Sequence, residues 1–127
     1  TRGAFVESQR LLERVWQRDE QDGAVANNLA WFYSNIQPRD LPKALKMVEH
    51  ALRLEPDRVE FRETRGQIFA KMERWADAVR DLEFAVNGLV ENQEVHEALA
   101  DSYGKLGDEA RSQAHRRVAE DLANRSL

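Results

Sequence analysis

The sequence predicts an all-α protein, a right-handed solenoid of antiparallel helix pairs with about seven helices. The spacing of alanines is the first observation behind this fold class. Ala51, Ala85 and Ala119 lie 34 residues apart, and the same interval separates Ala44 from Ala78. A period of this length is typical of a repeat that contributes one helix pair. The second observation is that 127 residues contain only 6 Gly and 3 Pro, which suits a chain with little besides helix.

The first three helices follow from apolar residues at the helical period of 3.6 and from the residues that punctuate them. Leu12 and Trp16 belong to the apolar content of the first helix, and the polar stretch 19–23 ends it. Asp40 is the expected N-cap of the third helix, and Pro42 falls in its first turn, where a missing N–H is harmless. The predicted ranges are 4–18, 24–36 and 41–54.

Four further helices complete the chain. Asp57 and Glu60 have the spacing of a capping box, in which each side chain accepts a hydrogen bond from the start of the helix. Gly88 is expected to end the fifth helix and Asn92 to cap the sixth, while Gly107 forms the turn before the seventh. The predicted ranges are 58–72, 75–87, 93–105 and 109–123.

Small residues recur where paired helices are expected to meet. Ala30, Gly66 and Ala100 belong to the first helix of each pair. They are expected to face Ala44 and Ala78 in the second helices. Two helices can approach closely only where the side chains between them are short.

These positions and several segments resemble the tetratricopeptide repeat family from about residue 23 to the end. The segments are 28–33 (NLAWFY), 44–56, 99–103 (LADSY) and 106–108 (LGD). Two positions depart from the family pattern, because Arg65 replaces a buried Leu and Val90 replaces the Pro that usually closes a repeat. The resemblance implies that 1–22 is an N-terminal helix like the second half of a truncated repeat. It also implies that 23–127 is an array of about three helix pairs with a C-terminal capping helix.

The resemblance further implies a concave groove, lined by the first helix of each pair, in which a ligand binds. The residues at groove positions are Asn27, Trp31, Glu60, Glu63, Gln67, Glu94, Glu97 and Asp101. Most of them are acidic, and carboxylates concentrated in a groove attract cations. The expected ligand is therefore a protein or peptide segment that is rich in Lys or Arg. The Lys, Arg and Asn clamp with which some family members hold a chaperone's C-terminal carboxylate is not matched.

Other interpretations of these residues stay open. Trp31 is either a binding anchor or a packing residue between repeats. Trp16, with Phe5 and Leu12, is a candidate surface for homodimerisation, which would give the chain a structural or assembly role. The groove carboxylates are either a binding surface or ordinary solvated surface, with local ion pairs to Arg58, Arg62, Lys71 or Lys105.

Composition argues against several other classes of function. A net charge of −4 and a pI near 5.4 do not suit a general nucleic-acid binder. The absence of Cys excludes disulfides and thiolate zinc sites. No apolar run approaches the length of a membrane span, so no membrane partner is expected. The compartment is not determined, and the cytoplasm is only the default.

Catalysis has little support in the sequence, and we expect neither an enzyme nor a cofactor or metal site. His50, His96 and His115 are isolated and are expected to be surface imidazoles. There is no Gly-rich phosphate loop and no nucleophile elbow. Glu63 and Glu97 could be imagined as an acid and base, but nothing predicts the closed apolar cavity that would shift one pKa. An enzyme fragment would need an activity elsewhere in a longer chain.

Overall fold

The computed structural model describes residues 1–88 and 91–125, and these residues form seven α-helices and no strand. This confirms the predicted all-α class, and each helix end lies within two residues of its predicted position. Val90, one of the two departures from the repeat pattern, lies outside the described residues. The helices are α1 (Arg2–Arg18), α2 (Gly23–Asn35), α3 (Leu41–Leu54), α4 (Val59–Lys71), α5 (Trp75–Val86), α6 (Gln93–Lys105) and α7 (Glu109–Arg125).

Most of the predicted helix boundaries have the expected physical cause. Asp40 Oδ1 accepts a hydrogen bond from the Lys43 N–H at 3.1 Å, which caps α3. Asn92 Oδ1 caps α6 in the same way, with the Val95 N–H at 3.1 Å. Gly107 has a φ of +84°, a conformation that glycine adopts without strain in the turn before α7.

The predicted capping box at the start of α4 is wrong. The helix begins at Val59, so Arg58 rather than Asp57 immediately precedes it. The Arg58 carbonyl accepts the first helical hydrogen bond, from the Arg62 N–H at 3.1 Å. The Arg58 side chain is also held, because its guanidinium lies 3.0 Å from a carboxylate oxygen of Glu55 and 3.4 Å from one of Glu60.

The chain divides into two compact units, Thr1–Thr64 and a second that begins at Arg65. In the first unit α1 packs on α2 and α2 packs on α3. Ala30 and Ala44 are fully buried there, as expected for short side chains at a helix contact. Gly23 is required for another close approach, since a Cβ at this position would lie 2.9 Å from the Phe61 ring.

In the second unit α5 packs on α6, and α6 packs on α7. Gly66 brings the rest of α4 against α5, because a Cβ there would lie 2.7 Å from Cγ of Leu82. Ala78, Ala85 and Ala100 are fully buried. These small residues let the helix backbones approach, and the larger buried side chains fill the space beside them.

Arg65 takes part in a buried ion pair with α5. Its Nε and Nη2 donate to the two carboxylate oxygens of Asp81 at 2.7 and 2.9 Å. The Asp81 side chain is only 1% exposed, while that of Arg65 is 25% exposed. A bidentate pair of this kind attracts two helices to each other and also holds them in one register. Arg65 therefore departs from the repeat pattern because it pairs with Asp81, a partner that the sequence analysis did not assign.

Introducing a charge at the alanine contact of α5 is expected to destabilise the second unit severely. Ala85→Glu places a carboxylate at a position with no exposed surface, where it has neither space nor a partner. We expect the free energy of unfolding to fall by about 4 kcal/mol, measured by urea denaturation. Ala76→Glu on the exposed side of the same helix is the control, and a loss of comparable size in the control would contradict the assignment.

Removing the cation of the buried pair is expected to lower the free energy of unfolding more than removing an exposed cation does. Arg65→Leu leaves the Asp81 carboxylate buried without its main counter-charge, and we expect a loss of about 3 kcal/mol in the free energy of unfolding. Adding Asp81→Ala to this variant should recover most of that loss. Arg80→Leu removes an exposed partner of Asp77 and should cost less than about 1 kcal/mol. Equal losses for Arg65→Leu and Arg80→Leu would contradict this account.

Candidate functional site

Trp31, the aromatic residue of the predicted groove, belongs to an exposed aromatic cluster in the first unit. Its side chain is 43% exposed, and that of Phe5 is 41% exposed. The two ring centroids lie 6.1 Å apart, and the ring of Phe32 lies 5.2 Å from that of Trp31 with its edge toward it. Trp31 is thus supported on one side by aromatic rings and retains a large accessible area.

The other groove positions of the first unit differ in how accessible they are. Asn27 on α2 is half-buried, and its Oδ1 is buried with no hydrogen-bond partner in the part of the chain that the structure describes. Glu60 is exposed, and its carboxylate lies 3.4 Å from Nε of Arg58. Glu63 is half-buried on the same helix. Of the local ion pairs that the sequence left open, the structure therefore contains the one between Glu60 and Arg58.

In the second unit, the groove positions of α6 form an acidic face. Glu94, Glu97 and Asp101 are all exposed and recur at the spacing of one helix face. Gln67 of α4 lies beside this face, since its Nε2 donates to the backbone carbonyl of Glu94 at 3.4 Å. The Glu97 carboxylate accepts a hydrogen bond from Gln93 Nε2 at 2.7 Å, which orients it along the helix.

A cleft of about 300 Å³ lies between this face of α6 and the facing side of α7. Two features distinguish its lining. Alanines supply short apolar surface, and three carboxylates outnumber a single guanidinium. The lining residues are Gln93, Glu97, Ala100, Asp101, Arg116, Ala119, Glu120 and Ala123. The guanidinium of Arg116 lies 3.7 Å from Asp101 Oδ1, and both side chains are substantially exposed.

The sequence analysis assigned neither Glu120 nor Arg116 to this site. Both residues lie on α7, for which the repeat pattern provides no groove position. The spacing of Arg116, Ala119, Glu120 and Ala123 shows that they share a helix face. Which face of α7 lies against α6 depends on tertiary packing, where Ala119 and Leu122 are buried.

The expectation of isolated surface histidines is wrong for two of the three. His96 is 6% exposed, and its Nδ1 lies 3.0 Å from Nδ1 of His115. Helix packing brings together two residues that are 19 positions apart in the chain. Within the described residues, no group of three or more metal-ligating side chains is arranged to hold a metal ion. None of the helices in that part of the chain has the length and apolar character that crossing a bilayer requires.

The fold is similar to that of solved structures of MamA. A structure titled MamA MSR-1 aligns with a TM-score of 0.75 and 24% identity, over 98% of this chain and 71% of the other. MamA AMB-1 aligns with a TM-score of 0.76 and 23% identity, over 96% and 66% of the two chains. A double mutant of MamA RS-1 aligns with a TM-score of 0.81 and 18% identity, over 95% and 67%. At these identities the similarity concerns the fold alone.

No curated protein matches this chain as a relative. A family model described as tetratricopeptide repeat matches residues 32–118, which is more than half of the chain. The match agrees with the 34-residue spacing of buried alanines and with the seven helices of the described residues. The protein therefore belongs to the tetratricopeptide repeat family.

Proposed function

We propose that the chain binds a Lys- or Arg-rich segment of another protein at the cleft between α6 and α7. Tetratricopeptide repeats serve generally as modules of protein interaction and assembly, and non-enzymatic scaffolding is their usual role. The observation that carries the finer proposal is the lining of the cleft. It combines the carboxylates of Glu97, Asp101 and Glu120 with the partly exposed methyl group of Ala123.

This combination suits a long cationic side chain. Lys and Arg bury an aliphatic stem against apolar surface and keep the charged group at polar neighbours. In the cleft, the stem would contact the partly exposed Ala123, and the charged group would lie among the three carboxylates. The contact between Arg116 and Asp101 at 3.7 Å is long and exposed, so an incoming cation displaces it at little cost.

The aromatic cluster of the first unit supplies a second kind of contact. Trp31 and Phe5 expose apolar area on rings that are already ordered by their neighbours, which lowers the entropic cost of binding. We assign to Trp31 the role of an anchor for an apolar or cationic side chain of the ligand. The remaining groove positions are proposed as ligand contacts within the unit to which each belongs. They are Asn27, Glu60 and Glu63 in the first unit, and Gln67 and Glu94 in the second.

Charge reversal in the cleft is expected to weaken this binding. The probe is a fluorescently labelled peptide of alternating lysine and alanine, and the measurement is the Kd by fluorescence anisotropy at low and high salt. We expect Glu97→Lys with Glu120→Lys to raise the Kd at low salt by about tenfold or more, since two attractive contacts become repulsive. Binding by the unaltered chain should weaken as salt screens the exposed charges.

The control changes the net charge by the same amount, at exposed positions of the second unit that do not line the cleft. Glu73→Lys with Glu109→Lys should change the Kd by less than about threefold, because only the long-range field is altered. An equal loss in both double variants would mean that net charge alone attracts the peptide. Unaltered binding by the cleft variant would contradict the proposed site.

The second candidate function is assembly through the N-terminal helix, favoured by the exposure of α1. None of its residues is buried, and Leu11 and Val15 are 56% and 48% exposed on one side of the helix. Trp16 is half-buried and contacts the edge of the His50 ring at 4.8 Å between centroids, so Leu11 is the better residue for a test. A second copy of the chain would cover this apolar side.

Sedimentation equilibrium at several concentrations tests the assembly proposal. We expect the unaltered chain to form a concentration-dependent dimer, which Leu11→Glu abolishes by placing a charge in the interface. Gln17→Glu changes an exposed polar position on the same helix and should leave the dimer intact. A chain that is monomeric at every concentration would rule this role out while leaving the cleft proposal untouched.

A further inference from the structure

Three helices of the second unit meet at His115. Its Nδ1 lies 3.0 Å from Nδ1 of His96 on α6, and its Nε2 lies 3.3 Å from a carboxylate oxygen of Glu83 on α5. The same oxygen of Glu83 accepts a hydrogen bond from the Tyr103 hydroxyl at 2.7 Å. The rings of Tyr103 and His115 are nearly parallel, with centroids 5.8 Å apart.

The charged surroundings of the histidine pair come from all three helices. Glu83 approaches from α5 and Tyr103 from α6, while Arg111 of α7 places its guanidinium 5.8 Å from the centre of the Tyr103 ring. Arg111 is itself paired with Asp108 at 2.6 Å. Burial, with the neighbouring Glu83 carboxylate, raises the pKa of Tyr103 to about 12, so its hydroxyl remains a donor at physiological pH.

The contact between the two Nδ1 atoms limits how many protons the cluster can hold. At 3.0 Å, one nitrogen must donate its hydrogen and the other must accept it. One added proton is tolerated, because a doubly protonated His115 donates to both Glu83 and His96. A second added proton places an N–H on each side of the contact. The hydrogen bond is then lost, and two positive rings face each other without an acceptor between them.

The helix that carries His115 packs on α6 through small and medium-sized side chains. Its buried residues within the described part of the chain are Ser112, Ala119 and Leu122, all small or of moderate size. Ser112 Oγ donates to the carbonyl of Ala100 at 2.8 Å, which adds one polar contact to α6. Repulsion between the two imidazoles therefore acts directly at the contact between α7 and α6.

We propose that the pair of His96 and His115 is an acid-sensitive latch that holds α7 against α6 and releases it when both rings are protonated. Release is expected on acidification, because the contact between the two Nδ1 atoms cannot accommodate a proton on each ring nitrogen. The sign follows from proton linkage: the packed state binds fewer protons than the released state, so acid favours release. Since α7 forms one side of the acidic cleft, release would also dismantle that surface.

Amide hydrogen exchange of residues 109–125 in the full chain tests the latch. The variant His96→Asn keeps a polar group near the position of Nδ1 but cannot be protonated. Between about pH 7.5 and about pH 5, we expect protection factors in the unaltered chain to fall at least about tenfold more than in the variant. Exchange rates are corrected for their intrinsic dependence on pH. His50→Asn removes a histidine outside the pair and should leave the response of α7 as in the unaltered chain.

Two results would contradict the latch. An equal fall in protection in the unaltered chain and in His96→Asn would overturn the latch, as would the absence of any fall. If His96→Asn disturbs packing at neutral pH, His115→Gln provides the second test, because the amide of Gln can still donate toward Glu83 without titrating. The latch requires this variant also to hold α7 in acid. The measurement needs no ligand, so its failure is separate from failure of the peptide-binding proposal.

Discussion

Paired helices approach each other closely at small residues, and this close approach positions the other side chains of the protein. Ala30 and Ala44 in the first unit, and Ala78 and Ala100 in the second, have no exposed surface. At Gly66 even a methyl group would overlap Leu82. Such contacts fix both the distance between helices and their rotation, because any other rotation would place a larger side chain at the contact. The rotation in turn decides which residues face outward.

Polar groups inside the second unit add specificity to this apolar framework. Asp81 would be costly to bury alone, but the bidentate contact with Arg65 supplies its counter-charge. His96 is also buried with a partner, because its Nδ1 forms a hydrogen bond with Nδ1 of His115. Each of these groups has a charged or polar partner on another helix. Polar contacts of this kind penalise alternative packings more strongly than apolar contacts, which tolerate small shifts.

The proposed binding surface is a consequence of the same packing. α6 and α7 meet through Ala100 and Ala119, and short side chains at that contact leave a cleft between the flanking charged residues. Carboxylates on separate helices thereby come to surround one small volume, where their fields add. An exposed glutamate on a single helix would attract a cation only weakly. The arrangement across two helices is the basis of the preference for basic segments that we propose.

The helices and the family of this protein could be predicted from the sequence, since both follow from local signals and residue spacing. Periodicity, N-caps such as Asp40 and Asn92, and alanines at a fixed interval are all properties of neighbouring residues or of exact spacing. The start of α4 was misjudged by one residue, because Asp57 and Arg58 compete for the same boundary and local spacing does not rank them.

Tertiary structure alone decided the contacts between helices. The partner of Arg65, the position of Glu120 beside Glu97, and the meeting of His96 with His115 all depend on how far each helix is rotated about its axis. That rotation is set by the sum of many small packing energies across the unit. No single residue determines the rotation of a helix. The candidate site was therefore only partly predictable, whereas the fold was predictable almost throughout.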